Sequence, residues 1–348
     1  MEAERYSADT LTLDADFPAD SVGKLNDILL GAGRPPGRPL VHTGRRAGGR
    51  QIVQVRGGGA VEAVELLRSA NAGAGERADV QYLGGTFQLA GRHWGHGFTW
   101  AELTAAPKDE PPPFASAQPP QDMRRPVIAL LDSGVQPHPW LESAPDDPFL
   151  LHAESLPAPR PFAGVVHEIH AGEVAAAGHG TFLAGLIRMA APSARVLSVR
   201  VMSDDGRVNE STVIEALEWL ADYHDPRTRP VDVVCMAFGR EPSDTDPVEP
   251  LEAALRPLAR KGIALVSSAG NDHQSAPVYP AAFDMVTAVG AGFGRYHADF
   301  SNHGDWVDRY RDGVDVVGPM PTGRWAKWSG TSFSAANFAG DLARPHVL

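Results

Sequence analysis

The chain has 348 residues, with 31 Lys and Arg against 43 Asp and Glu and a formal charge of −12. This is globular composition, 43% hydrophobic and 21% charged, and its acidity argues against a general binder of nucleic acid or anionic membranes. A single cysteine, Cys235, excludes an intrachain disulfide and a multi-cysteine zinc site. No apolar run approaches the roughly 20 residues of a membrane span, and the start Met1-Glu-Ala-Glu-Arg-Tyr lacks the apolar core of a signal peptide. A cytoplasmic location is therefore expected.

In chain order, Thr10-Leu-Thr-Leu-Asp alternates as a strand does, and 20–30 has helical spacing at Val22, Leu25 and Leu29. Strands follow at Pro39-Leu-Val-His-Thr and Gln51-Ile-Val-Gln-Val, then a helix over 60–67 and a strand from Asp79. The order βαββαβ predicts a small ferredoxin-like α+β domain over 1–104. Gly57-Gly-Gly lacks the remaining elements of a nucleotide-binding loop and reads as a tight turn. Residues 105–125 are too rich in proline for a helix or an inner strand and read as a linker. Up to residue 125 the chain holds 14 basic and 15 acidic groups; beyond it, 17 and 28, so the acidity belongs to the second domain.

That domain, 126–348, alternates apolar runs with amphipathic helices. The runs begin at Pro126, Arg195, Val231, Gly262 and Met285, and the helices span 211–223 and 248–261. The pattern predicts a doubly wound, mostly parallel sheet covered on both faces, with ligands beyond the carboxyl ends of its strands.

Four segments carry chemistry. Asp132 ends the first apolar run, in Leu131-Asp-Ser-Gly-Val. His179 opens a helix in Gly178-His-Gly-Thr, and Ser332 opens another in Ser329-Gly-Thr-Ser. Asn271 follows a buried run in Ser268-Ala-Gly-Asn. A serine hydroxyl is a weak nucleophile and needs a base. An imidazole suits that task, and a buried carboxylate fixes its tautomer. Helix starts aim N–H groups at developing negative charge, and an amide side chain donates to an oxyanion.

With these segments in this order, the chain resembles the subtilisin-like serine proteases, or subtilases. The matches are Ile128-Ala-Leu-Leu-Asp-Ser-Gly-Val, His179-Gly-Thr-Phe-Leu-Ala-Gly, Ser268-Ala-Gly-Asn and Gly330-Thr-Ser-Phe-Ser-Ala, with support from Tyr279-Pro-Ala, Val289-Gly-Ala and Phe300-Ser-Asn-His-Gly. The resemblance implies Asp132 as orienting acid, His179 as general base, Ser332 as nucleophile and Asn271 as oxyanion donor. It implies further that Ala237, Phe238 and Gly239 pair with an extended peptide, that Gly206 lies on the opposite rim, and that Ser268, Ala269 and Gly270 wall a side-chain pocket. No cofactor is required; structural calcium ions occur in the family, but no ligand set stands out here. The N-terminal domain is expected to be an inhibitory and folding-assisting prodomain or an uncleaved accessory domain. The implied partner is a peptide or protein substrate, and the oligomeric state is left open.

The sequence departs from the family at several points. Phe182 replaces a second histidine, which predicts altered packing beneath the site. Ala336 stands where proline is common, followed by Asn337, which predicts a changed start to the serine helix. Gly318-Pro319-Met320 replaces Ala-Pro-Gly, and the chain ends 16 residues after Ser332, so either a minimal variant or a face covered by something else is expected. None of these removes a member of the triad, so a serine endopeptidase is the favoured expectation. The early end and the altered serine helix motivate an alternative, a non-catalytic or partner-activated peptide-binding or regulatory protein on the same fold.

Other candidates are set aside. His167-Glu-Ile-His170 misses the HExxH spacing, and His93 and His96 read as linker packing. Gly330-Thr-Ser332-Phe-Ser334 misses the GxSxG elbow. Cys235 reads as a core thiol, and Trp219 and Trp306 as packing groups.

Overall fold

The computed structural model describes residues 6–13, 22–37, 39–47, 50–56, 63, 66, 78–82, 102–104, 124–141, 148–153, 178–202, 208, 210–242, 248–293 and 296–344. The chain divides into two compact units, Met1–Thr86 with Val208–Glu215, and Phe87–Arg207 with Ala216–Leu348.

In the first unit, β1 (Tyr6–Leu13), α1 (Val22–Gly31), β2 (Leu40–Ala47), β3 (Arg50–Val55) and β4 (Ala78–Tyr82) follow the expected order. The sheet order is β2-β3-β1-β4, every pair antiparallel, with β3 inserted between the two strands that α1 connects. This is the split βαβ arrangement of a ferredoxin-like sheet. Leu25 and Leu29 of α1 are buried, one helical turn apart. Asn26 fixes the helix to the start of β2, its amide donating to the Leu40 carbonyl (3.0 Å) and accepting from the Leu40 N–H (2.6 Å). The turn at 57–59 and most of the helix expected over 60–67 lie outside the described residues.

The second unit begins, among its described elements, with a short strand, β5 (Glu102–Thr104). A division of the sequence at residue 104 leaves this strand with the N-terminal part. Its pairing partner instead lies in the hairpin that precedes the serine helix, described below.

The central sheet comprises β6 (Val127–Asp132), β7 (Leu150–His152), β8 (Arg195–Arg200), β9 (Val233–Met236), β10 (Ala264–Ser268), β11 (Thr287–Phe293), β12 (Tyr296–His297) and β13 (Arg309–Arg311). Its order is β12-β11-β10-β9-β6-β8-β7, with β13 also paired to β11. All pairs are parallel except β11 with β12. Every residue of β6 and β9 is buried, as strands covered on both faces must be. Ile128, Leu130, Val233, Cys235 and Val266 join one core cluster on one face. Ala129, Leu131, Val234 and Leu265 alternate with them and are buried too.

The helices are α2 (His179–Ala190), α3 (Glu210–Tyr223), α4 (Glu249–Arg260) and α5 (Thr331–Leu342). Helices α2 and α5 pack against each other, and their Leu183, Ile187, Ala335 and Ala339 belong to the core cluster over the first face. The hairpin of β14 (Val316–Met320) and β15 (Arg324–Trp328) leads into α5 and takes β5 as a third strand. The register sets Glu102 opposite Lys327. Pro319, which lacks an N–H, is tolerated because β14 is an edge strand of this sheet.

The strand order changes direction at β6: the chain passes to β8 on one side and later to β9, β10 and β11 on the other. Such a switch opens a crevice beyond the carboxyl ends, where β6 ends in Asp132, β9 runs on into Ala237 and β10 ends in Ser268. Among the described residues no helix is long and apolar enough to cross a membrane.

Candidate active site

Asp132 is the last residue of β6, and its carboxylate is 1% exposed. Burying a charge is unfavourable unless hydrogen bonds replace water, and this one is well supplied. The Ser133 N–H donates to Oδ1 (2.8 Å), the Ser133 hydroxyl donates to the same oxygen (3.2 Å), and His179 Nδ1 lies 2.9 and 3.0 Å from the two oxygens. The last contact assigns the proton to Nδ1 and leaves Nε2 as the basic nitrogen.

His179 opens α2, and the next residue must be glycine. A Cβ at position 180 would lie 2.3 Å from the Gly134 carbonyl oxygen and 3.1 Å from Asp132 Oδ1. Gly180 N–H donates to the Ser133 hydroxyl (3.1 Å), and Gln136 N–H to the Thr181 hydroxyl (2.9 Å). The loop after β6 is thereby tied to the first turn of α2. His179 is 2% exposed, with its ring edge-on to Trp328 (5.6 Å, 82°) and tilted against Phe333 (5.8 Å). These aromatic walls exclude water from one side of the imidazole.

Ser332 lies in the first turn of α5 and is 3% exposed. Its hydroxyl donates to the Ala237 carbonyl (3.2 Å), just past the end of β9. In this conformation the hydroxyl's bond goes to that carbonyl rather than to His179.

Asn271 follows β10 and is 7% exposed. Its Oδ1 accepts from the N–H (2.9 Å) and the hydroxyl (3.0 Å) of Thr331. The same hydroxyl accepts from the Gly270 N–H (3.1 Å). With Oδ1 committed to the start of α5, Nδ2 remains as a donor near Gly330, 3.7 Å from where a Cβ there would lie. The structure therefore brings Asp132, His179, Ser332 and Asn271 to one end of one sheet, from the ends of two strands and the starts of two helices.

Of the expected substrate contacts, Ala237 and Phe238 are buried, and Phe238 O accepts from the Ser267 hydroxyl (3.3 Å). Gly239 is followed by a two-way bridge, Arg240 N–H to Tyr279 O (2.8 Å) and Tyr279 N–H to Arg240 O (2.7 Å). Ser268 and Ala269 are buried, and Ala269 N–H donates to Val289 O (2.9 Å). Gly270 has φ +101°. Gly206, His93, His96, His167 and His170 lie outside the described residues. Among those described, no group of three His, Cys, Asp or Glu is placed to hold a metal ion.

A model of the subtilase family matches residues 124–345. The chain belongs to the subtilase family. It is 34% identical over 178 residues to a thermophilic serine proteinase of Bacillus sp. (strain AK1), covering 50% of this chain and 41% of that protein. It is 30% identical over 218 residues to subtilisin BL of Lederbergia lenta, covering 62% of this chain and 74% of that protein. Among solved structures, a mutant of the protease domain of PatA has a similar fold at 23% identity, with a TM-score of 0.50, covering 64% of this chain and 80% of that one.

For this subtilase, three departures of sequence have a structural account. Phe182 is fully buried between Phe333 (4.7 Å) and Trp328 (5.6 Å), so it extends the aromatic support beneath His179. Gly318 accompanies it, since a Cβ there would approach the Phe182 ring to 2.9 Å. Ala336 is buried inside α5, which is continuous from Thr331, and Asn337 donates to the Asp312 carbonyl (3.0 Å).

Ser133, Thr331 and Asn302 carry much of the site's hydrogen bonding, and the sequence alone assigns them no role. The available signal is adjacency: Ser133 follows Asp132, and Thr331 precedes Ser332. Cys235 is fully buried, and burial together with the nearby Asp132 charge raises its thiol well above the usual range. That environment suits an inert core thiol. Trp219 stacks on Tyr223 (4.9 Å), and Trp306 donates to Ser275 O (2.9 Å).

Proposed function

We propose that this subtilase is a serine endopeptidase acting through an acyl-enzyme on Ser332. The observation that carries the reading is the buried Asp132–His179 pair beside the start of α5. An imidazole whose Nδ1–H is held by a buried carboxylate presents Nε2 as a base and is stabilised once protonated.

In the proposed reaction the Ser332 hydroxyl turns from Ala237 O and attacks the scissile carbonyl carbon while His179 Nε2 takes its proton. Asn271 Nδ2 and the Ser332 N–H donate to the carbonyl oxygen as it becomes an oxyanion. His179 then protonates the leaving amine as the C–N bond breaks. In the second half, water adds to the ester carbonyl with His179 again as base, and Ser332 Oγ leaves with the returned proton. An extended peptide would lie along Ala237, Phe238 and Gly239, and Ser268, Ala269 and Gly270 would wall the pocket. Addition of a strand supports such binding because main-chain hydrogen bonds give affinity without demanding one sequence.

The Ala237 carbonyl favours one further reading, that of a peptide-binding protein activated by a partner or ligand. In that reading Ser332 stays on Ala237 O until something displaces it. Hydrolysis of a mixed peptide library by the full chain, with and without Ser332→Ala, tests the endopeptidase. The reading predicts internal cleavage that the variant lacks; equal product patterns from the two would refute it. Within the same reading, the N-terminal domain acts as an inhibitory and folding-assisting segment or as an accessory domain. The mass of the purified chain discriminates, since self-processing predicts a cut between about 90 and 125 that Ser332→Ala abolishes.

A further inference from the structure

The loop that carries Asn271 has no regular secondary structure from 269 to 278, yet its oxyanion donor must be fixed to a fraction of an ångström. One side chain outside the four catalytic segments spans that loop. Asn302 lies in the turn Phe300-Ser301-Asn302-His303-Gly304 and is fully buried. Its Nδ2 donates to the Ala269 carbonyl (2.9 Å). Its Oδ1 accepts from the N–H groups of Asp272 (2.9 Å) and Gln274 (3.2 Å). Its own N–H donates to the Gly270 carbonyl (2.9 Å). A single residue thus holds the chain two residues before, one before, one after and three after Asn271.

The two segments are laced together on either side of that contact. His273 N–H donates to Phe300 O (2.9 Å) and His303 N–H to Gln274 O (3.0 Å). Glycine at 270 follows from the same packing, because a Cβ there would lie 2.5 Å from Asn302 Nδ2 at a φ of +101°. Asn271 is therefore fixed twice: Thr331 orients its amide, and Asn302 sets the course of its backbone.

We propose that Asn302 is a positioning residue for the reaction, acting through the main chain of 269–274 to place Asn271 Nδ2 at the developing oxyanion. The proposal rests on the endopeptidase reading above. Removing the Asn302 amide leaves Ala269 O, Asp272 N–H and Gln274 N–H without that partner and frees the loop on both sides of Asn271. The ground-state complex changes little by this account, while the transition state loses a well-placed donor. The loss should appear in kcat, with KM moving much less.

The test is a double-mutant cycle on the full chain, reading kcat and KM for one peptide substrate. Asn302→Ala is expected to lower kcat between tenfold and about a hundredfold and to change KM by less than about threefold. With Asn271→Ala already present, the same substitution should lower kcat by less than about threefold, because the group it positions is gone. Ser301→Ala is the structural control. Ser301 is equally buried in the same turn, but its hydroxyl bonds to Ala291 N–H and Asn302 O rather than to the 269–274 loop, so its loss should lower the melting temperature and leave kcat unchanged. If Asn302→Ala does not fold, the cycle is run with Asn302→Ser, whose hydroxyl can still accept from the loop. Full multiplication of the two kcat losses, or an unchanged kcat in a folded Asn302 variant, overturns the positioning role. A wild-type chain that turns over no peptide overturns the endopeptidase reading instead.

Discussion

The two ends of the central sheet are held in different ways. At the carboxyl end Asp132, His179, Asn271 and Ser332 are 1–7% exposed, and each is bound by hydrogen bonds that also set its orientation. At the amino end the Arg124 guanidinium grips the Asp232 carboxylate through two bonds (2.6 and 2.8 Å), and Val127 N–H donates to the same carboxylate (2.8 Å). That pair is half in water, with side chains 51% and 30% exposed. Both ends join strands through carboxylates, but only one removes them from solvent. Burial makes the geometry of the carboxyl end stringent, whereas solvent makes the amino end tolerant.

The largest effects are expected at Ser332, His179 and Asp132. Ser332→Ala and His179→Ala should each lower kcat by about 10⁶-fold, and Asp132→Asn by about 10⁴-fold, measured on a peptide substrate. Melting temperatures should shift by only a few degrees if these groups serve chemistry more than stability. A smaller effect is expected one step out. Asn271→Leu should lower kcat by about 10²- to 10³-fold with little change in KM, the signature of a donor used only in the transition state. An equal rise in KM would show instead that it binds the ground state.

Ser133→Ala sharpens the contrast further. It removes a donor to Asp132 and leaves Gly180 N–H without its hydroxyl partner, which should cost about 1–3 kcal/mol of stability and lower kcat as His179 loses its fixed backing. Unfolding in denaturant and turnover of the same preparation report the two effects together.

At the amino end the expected effect is smallest. Asp232→Asn should lower stability by about 1 kcal/mol and leave kcat unchanged. Burial pushes the Asp232 carboxyl upward, but the Arg124 bond and the Val127 N–H outweigh it, and the group is held below the ordinary carboxylate range. A carboxyl with a depressed folded-state pKa stabilises the fold above its unfolded value, about 3.9, and loses that contribution as pH falls through the folded value. The difference in melting temperature between wild type and Asp232→Asn should therefore be present at neutral pH and shrink in acid. A pH-independent difference would assign the effect to packing.

The central strands were legible because burial on both faces leaves continuous apolar runs: the run from Pro126 became β6, and that from Gly262 became β10. The helix expected over 211–223 differs from α3 by one residue at its start. The strands of the hairpin before α5 were not legible. β14 contains Gly318 and Pro319, which locally contradict a strand, and β5 is three residues long and gains its partner more than 200 positions away. Such pairing is a tertiary effect that no local window contains. In the site, the residues with distinctive chemistry stood out by type and order. Asn302 entered only within the supporting match Phe300-Ser-Asn-His-Gly, with no role, because an asparagine in a turn is locally ordinary and its importance arises only where two distant loops meet.

The central claim is that Ser332 is a nucleophile activated by His179. The most direct measurement is the mass of the peptide containing Ser332 after the folded chain is exposed to a fluorophosphonate. The account predicts a single adduct on Ser332 in the wild type and none in Ser332→Ala, with labelling greatly slowed in His179→Ala. A wild-type chain that remains unmodified, or one labelled equally in all three proteins, would contradict it.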